Sequence, residues 1–278
     1  MSSNGAAAIV VGVDGSSSSL DAAGWAARAA ELRGAALKLV SAYQVKALYT
    51  SFVTLPAHIG SQERAAADKI LAGASLVARR SVLAPDGLSI SVDALVGPTI
   101  QAMIDQSSDA SMIVVGTRGN GEYFAEVLGS VSTAISAQAH CPVAIVPRSV
   151  AIESGRSTVV VGVDASTGNQ RSIQLAFEEA SLQGTGLVAV HVSSETSTGR
   201  SVLAECLAGW GEKYPQVAVT RTVLHGNVVE NIVELSQRAR AVVIGSGGRR
   251  SGISDRLLGS TVRSLAHRVD CPLIIARG

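Results

Sequence analysis

The chain has 278 residues, 47% of them hydrophobic, 16% charged, and a formal net charge of +1. That length and apolar content suffice for one large core or two ordinary ones and exclude a disordered chain. The near-neutral balance excludes the basic field that draws nucleic acid or an anionic membrane surface, so small molecules and proteins are the expected partners.

The opening stretch "MSSNGAAAIVVGVDG" has no basic n-region, and its apolar run passes at once into Asp14, so it reads as a first strand and not as a signal peptide. No apolar run approaches the ~18 residues of a membrane span. Cys141, Cys206 and Cys271 form neither a CxxC pair nor an even framework, which argues against disulfides and structural zinc and points to a reducing, cytoplasmic setting.

From there, short β-branched runs alternate with stretches of helical period. The strand "AIVVGVD" leads to a helix from about Ser18, "LKLVSAY" to a helix through "AAADKILAGASLVARRS", and "LSISVDALV" to a helix through "TIQAMIDQSS". "SMIVVGT" is followed by a glycine-spaced loop, a helix from Ser130 and the strand "PVAIVP". Such alternation requires crossover connections and therefore a mostly parallel sheet covered on both faces.

The pattern then starts again. "IVVGVDGSSSSLDAAGWAARAA" at Ile9 is echoed by "VVVGVDASTGNQRSIQLAFEEA" at Val159, so Asp14 matches Asp164; "AHCPVAIVP" is echoed by "VDCPLIIAR". The polar stretch "RSVAIESGRST" marks a linker, dividing the chain into domains 1–149 and 150–278. The offset between copies is 150 at Asp14 (164 − 14) but 129 at Gly97 (226 − 97) and Gly116 (245 − 116), so the first half carries 21 additional residues. They are expected within "QVKALYTSFVTLPAHIGSQERAAADKI", before and into the second helix.

In open parallel sheets a ligand sits beyond the carboxyl ends of the strands, where the strand order reverses. Asp14 stands at such an end and has two readings: an acceptor for a ribose hydroxyl or nucleobase amine, or a brace for the next helix with Ser16 to Ser19. Gly116, Gly119 and Gly121 suit a loop that approaches a ligand closely, and Gly129 with Ser130 opens a helix whose N–H groups favour an anion. Ser130 and Ser132 add hydroxyls and Arg118 a charge; the plainer alternative is a long turn and a capped helix.

The spacing Gly116-x2-Gly119-x9-Gly129-Ser130 after "IVV", with "GVDGS" on the first strand and "CPV" before the last, resembles the ATP-binding class of the universal stress protein family, here in tandem. The resemblance spans essentially the whole chain. It implies two Rossmann-like (adenine nucleotide alpha hydrolase-like) α/β domains, each a five-stranded parallel sheet flanked by helices. It further implies ATP, with Mg²⁺ as an accompaniment held through phosphate oxygens. In the first half Gly12 and Asp14 would lie by the ribose or adenine, Val40 to Ala42 beside the adenine, and Val96 and Gly97 on the nucleoside side. Gly116, Arg118, Gly119, Gly129, Ser130, Val131 and Ser132 would surround the phosphates. The matching positions in the second half are Gly162, Asp164, Val190, Val192, Gly226, Gly245, Gly248, Gly259, Ser260 and Thr261. Family members dimerise, often through their last strands, so the halves are expected to form an internal pseudo-dimer, alongside homodimerisation and an unidentified protein partner. The implied role is a nucleotide-dependent regulator of stress response and growth or dormancy.

The second copy departs from the first. Ten residues, not nine, separate Gly248 from Gly259, Ala165 stands where the first copy has Gly15, and Asp255 adds negative charge, although Arg249 and Arg250 would offset it. Glu122 and Glu126 place charge in the first loop too. Binding is expected at both sites, with a structural or partner-binding second half as the alternative.

Rival enzyme signatures are misplaced: "HIGS" at His58 lies in the inserted segment and "SGGRRS" at Ser246 follows a fourth strand, whereas the signatures they resemble follow a first strand. There is no GxxxxGK[ST] loop, and His58, His140, His191, His225 and His267 are scattered. A slow ATPase and a nucleotide-free interaction module remain the competing functions.

Overall fold

The computed structural model describes residues 7–45, 60–117, 129–148, 156–166, 169–247 and 258–277. In the first half the strands are β1 (Ile9–Gly12), β2 (Leu37–Tyr43), β3 (Ile90–Val96), β4 (Met112–Gly116) and β5 (Val143–Val146). The helices are α1 (Ser17–Arg33), α2 (Ser61–Arg80), α3 (Thr99–Gln106) and α4 (Ser130–Gln138). In the second half come β6 (Thr158–Gly162), α5 (Asn169–Leu182), β7 (Gly186–Val192), α6 (Thr196–Cys206) and the short α7 (Trp210–Lys213). β8 (Val219–Leu224), α8 (Val228–Ser236), β9 (Ala239–Gly245), α9 (Ser260–Leu265) and β10 (Leu273–Ala276) complete it. The 149/150 boundary and His58 lie outside the described residues.

All strands join one ten-stranded sheet in the order β3-β2-β1-β4-β5-β10-β9-β6-β7-β8. Within each half every pairing is parallel. The halves meet through their last strands, antiparallel, with Leu273 opposite Ile145, Ile274 opposite Ala144 and Ile275 opposite Val143. The order reverses beside β1 and beside β6, which puts a crevice above β1/β4 and another above β6/β9.

Alternation along the strands feeds two apolar layers. Ile9, Val11, Val114 and Ala144 face α1 and α2, and Val159, Val161 and Ile274 continue the same layer in the second half. Val10, Ile113, Val143 and Ile145 face the other way, toward Met103 and Ile135, with Val160, Val242 and Ile275 extending that layer. Each layer crosses the seam. α1 can lie close to the sheet because its inner face is alanine: Ala22, Ala23, Ala26, Ala27 and Ala30 are buried.

The repeat also extends to hydrogen bonds. Ser107 Oγ donates to the Ile104 carbonyl (2.6 Å) and accepts from His140 N–H (2.9 Å); Ser236 Oγ donates to Val233 (2.7 Å) and accepts from Asp270 N–H (3.2 Å). Each serine staples the end of the third long helix of its half to the start of the final strand. The first half's additional length falls largely between β2 and α2, residues 44–60 against 193–195, and the rest goes into a 20-residue α2 against an 11-residue α6.

Candidate functional site: the crevice at the switch point

The first wall of the crevice is the turn from β1 into α1. Val13 N–H donates to the Val40 carbonyl (2.8 Å), which fixes the end of β1 against β2. Asp14 is exposed, its Oδ1 accepting from Ser16 N–H (3.0 Å) and its own N–H donating to Ser19 Oγ (3.3 Å). Gly15 supplies a left-handed φ of 82° that a side chain would strain. Ser16 then caps α1, accepting from Ser19 N–H at 3.2 Å. Asp14 thus braces the turn while remaining exposed at the carboxyl end of β1.

The second wall is the passage from β4 to α4. Thr117 N–H donates to the Val146 carbonyl and Gly129 N–H donates back to the Thr117 carbonyl, both at 3.1 Å, so the loop's two ends are clamped together. Ser132 is 5% exposed and its Oγ donates to the Gly116 carbonyl at 2.7 Å. Its hydroxyl proton braces the loop at Gly116, and the backbone N–H lies in the first turn of α4. Ser130 is exposed and Val131 half-buried at the helix start.

The termini of the helices differ in a way that bears on ligands. α1 is capped by Ser16, and α8 by Asn227, whose Oδ1 accepts from Val229 N–H (2.8 Å) and Glu230 N–H (3.3 Å). α4 begins at Gly129 with no side-chain cap, as α2, α3, α6 and α9 also begin without one, but α4 does so beside β1 and β4, where the strand order reverses. Its first-turn N–H groups have no intrahelical acceptors and carry the positive end of the helix dipole. An anion at that point satisfies both.

Gly116 is required for another reason than ligand approach. A Cβ there would lie 2.3 Å from Ser18 Oγ and 2.7 Å from the Ser18 carbonyl oxygen, so the end of β4 passes directly against the first turn of α1. A Cβ on Gly12 would press on the Met103 thioether at 3.3 Å. On the nucleoside side, Val40 is buried, Ala42 half-buried and Val96 65% exposed, while Gly97 turns at φ 131° with open space around it. Arg118, Gly119, Gly121, Glu122 and Glu126 lie outside the described residues.

The second crevice repeats the frame with fewer ties. Val163 N–H donates to the Val190 carbonyl (2.8 Å), and Asp164 Oδ1 accepts from Ser166 N–H (3.0 Å) and from the Ser166 hydroxyl. Gly162 and Val192 are half-buried, and Gly226 turns at φ 89° in the open, as Gly97 does. Among the described residues, the nearest atom to a Cβ on Gly245 would be the Gly247 carbonyl oxygen at 3.9 Å. Gly259 starts α9 without a side-chain cap, with Ser260 exposed and Thr261 half-buried. The residue at the Ser132 position is Val262, which is buried and cannot bond the Gly245 carbonyl. Among the described residues, Gly259 forms no counterpart of the Gly129 to Thr117 bond. Gly248, Arg249, Arg250 and Asp255 lie outside the described residues.

Sequence reading passed over Thr117 and Asn169. Asn169 is the counterpart of Ser19; it is 4% exposed, and its Nδ2 has no hydrogen-bond partner among the described residues. The repeat alignment, pairing a serine with an asparagine at the start of a helix, was the signal that could have found it. Two clefts among the described residues lie away from the crevices: about 490 Å³ at the seam, between Arg33 and Leu175, and about 610 Å³ beside β8. No cluster of three or more His, Cys, Asp or Glu able to hold a metal, and no helix long and apolar enough to cross a membrane, occurs among the described residues.

Cys141 and Cys271 lie in the apolar layer under α4 and α9. Burial pushes the Cys141 thiol up to about 11 and the Cys271 thiol up to about 12.

Comparison with known proteins follows the same division. The model of the universal stress protein family matches residues 7–147 and 208–277, so Asp164 and the strands around it fall outside the match. A universal stress protein of Mycobacterium tuberculosis is 34% identical over 292 residues, spanning 99% of this chain and 98% of that protein. One of Mycobacterium bovis is 33% identical over 285 residues, spanning 97% and 96%. The crystal structure of a universal stress protein from Archaeoglobus fulgidus DSM 4304 superposes with a TM-score of 0.72 at 22% identity, over 97% of this chain and 96% of that one, a likeness of fold. With the repeated βα frame and both switch-point crevices, these matches establish that the chain belongs to the universal stress protein family, in tandem form.

Proposed function

We propose that the first crevice binds ATP and that nucleotide occupancy regulates the protein in a stress response, without metabolic turnover as its purpose. The observation that carries this reading is the uncapped N-terminus of α4, braced at the switch point by Gly129 and Thr117 and by Ser132 and Gly116. The phosphates would take the N–H groups of Ser130, Val131 and Ser132 and the Ser130 hydroxyl. Asp14 would take the ribose or adenine, and the backbone at Ala42 and Gly97 would border the nucleoside. Arg118 and Gly119 are proposed for the same phosphates on their spacing alone. Mg²⁺ would be held through phosphate oxygens. With Val262 in place of Ser132 and no clamp at Gly259, the second crevice is the weaker site, so one tight nucleotide per chain is expected.

Ser130→Asp separates binding from folding. An aspartate in the first turn of a helix stabilises it by about 0.3–1 kcal/mol through the dipole, yet sets a negative charge against a phosphate. Calorimetric titration should show ATP affinity falling at least tenfold in this variant while its thermal midpoint holds or rises. Equal affinity in both proteins would overturn the assignment.

A further inference from the structure

The groove of about 610 Å³ beside β8 is lined by Thr196, Arg200, Leu203, Arg221, Thr222 and Val223. Both arginines are exposed, and neither forms an ion pair among the described residues. Leu203 is 1% exposed and makes an apolar floor, and Val223 packs on α6 so closely that a Cβ at Gly199 would lie 2.6 Å from it. Arg221 shares the face of Val223, two residues along the strand. β8 is the outermost strand of its end of the sheet, and among the described residues it pairs with β7 alone, so its outer edge carries no further strand there.

Among the described residues the matching edge of the first half carries different side chains. The residues matching Arg221 and Thr222, by the offset of 129, are Val92 and Asp93, and Asp93 pairs with Lys38 at 3.2 Å. The helix over that edge is the 20-residue α2, whereas α6 has 11 residues. A single charge on an edge strand guards against self-pairing. Two guanidinium groups lining one groove without a carboxylate go further, because they favour a negatively charged occupant.

We propose that this groove docks an extended acidic segment of a partner protein, added as an outer strand to β8. Main-chain bonds along a free edge supply affinity, and alternate side chains supply selection. An acidic residue level with Arg221 would also be within reach of the long Arg200 side chain, and an apolar residue two positions on, about 6.5–7 Å away, would lie over Val223. The selected pattern is therefore acidic-x-apolar. The surface is independent of the nucleotide crevice, so failure of either reading leaves the other standing.

The test is fluorescence anisotropy of a labelled heptapeptide, Ser-Thr-Glu-Thr-Leu-Thr-Ser, titrated with the full chain. A second peptide places Glu and Leu adjacent, on opposite faces of a strand, and a third is N-methylated at alternate amides. The first peptide should bind the native chain at least tenfold more tightly than it binds an Arg200→Gln, Arg221→Val variant, whose thermal midpoint should match the native one because both positions are exposed. It should also bind at least tenfold more tightly than either control peptide. Absence of binding, equal binding by the variant, or equal binding of the N-methylated peptide would overturn the proposal. Displacement by inorganic phosphate at concentrations that leave ionic strength unchanged would do the same, reassigning the groove to small anions.

Discussion

Gly116 and Gly245 occupy matching positions, yet the forces on them differ. Gly116 has the first turn of α1 against its backbone, with the Ser18 carbonyl oxygen 2.7 Å from where an added Cβ would sit, whereas among the described residues the nearest atom at Gly245 is the Gly247 carbonyl oxygen at 3.9 Å. Gly116→Ala should therefore destabilise by about 1–3 kcal/mol, the range for overpacking, and Gly245→Ala by less than about 1 kcal/mol. Urea denaturation of the two variants reads the difference directly; equal costs would contradict the packing argument. The thiols give a second prediction at this scale. With the Cys141 pKa at about 11 and that of Cys271 at about 12, at pH 8 fewer than about one in a thousand of either is thiolate. Only the half-buried Cys206 should react with an aromatic disulfide reagent in the native protein, and all three after denaturation. The sign of the linkage follows: above about pH 8.5 the unfolded chain releases thiol protons that the folded chain keeps, so these two groups lower stability as pH rises.

Among the elements, helix beginnings carry the functional argument. α1 and α8 start with side-chain caps, and α4 starts without one at the point where the strand order reverses. The sequence made the existence of α4 and its serine-led start readable, because period and glycine spacing are local features. It did not show that Ser132 turns inward, since "GSVST" reads the same whether a hydroxyl meets a phosphate or the Gly116 carbonyl. Only the burial at that position separates the two. Ser132→Ala should cost about 1 kcal/mol by loss of the buried hydrogen bond, measured by thermal unfolding, and should loosen the loop ends enough to weaken ATP binding. An unchanged midpoint would show that the bond contributes nothing net.

At the scale of the whole molecule, the two halves share one sheet and two continuous apolar layers. Across the seam Arg33 at the end of α1 pairs with Glu179 of α5, the carboxylate 1% and the guanidinium 17% exposed. Gln183 Nε2 also donates to Glu179, at 3.2 Å, and Arg33 donates to the Ala29 carbonyl at 2.9 Å. Burial lowers the Arg33 pKa from its ordinary value, with the charge of Glu178 opposing. Glu179→Leu alone would strand that cation and should cost about 3–5 kcal/mol, whereas adding Arg33→Met should restore most of the loss. Equilibrium unfolding of the single and double variants decides it. This ion pair was not legible in the sequence: the partners lie 146 positions apart, and the counterparts of Glu179 and Arg33 in the other half are Ala29 and Gln183, so the repeat gives no hint. The frame of each half was legible because its alternation is written twice, once per copy.

The most direct test of the nucleotide assignment is hydrogen–deuterium exchange with and without ATP, followed at peptides covering 112–117, 129–138 and 258–265. Slowed exchange centred on the start of α4, with little change at α9, is the predicted footprint. Unchanged exchange at 129–138 in the presence of saturating ATP, or protection confined to other surfaces, would contradict it.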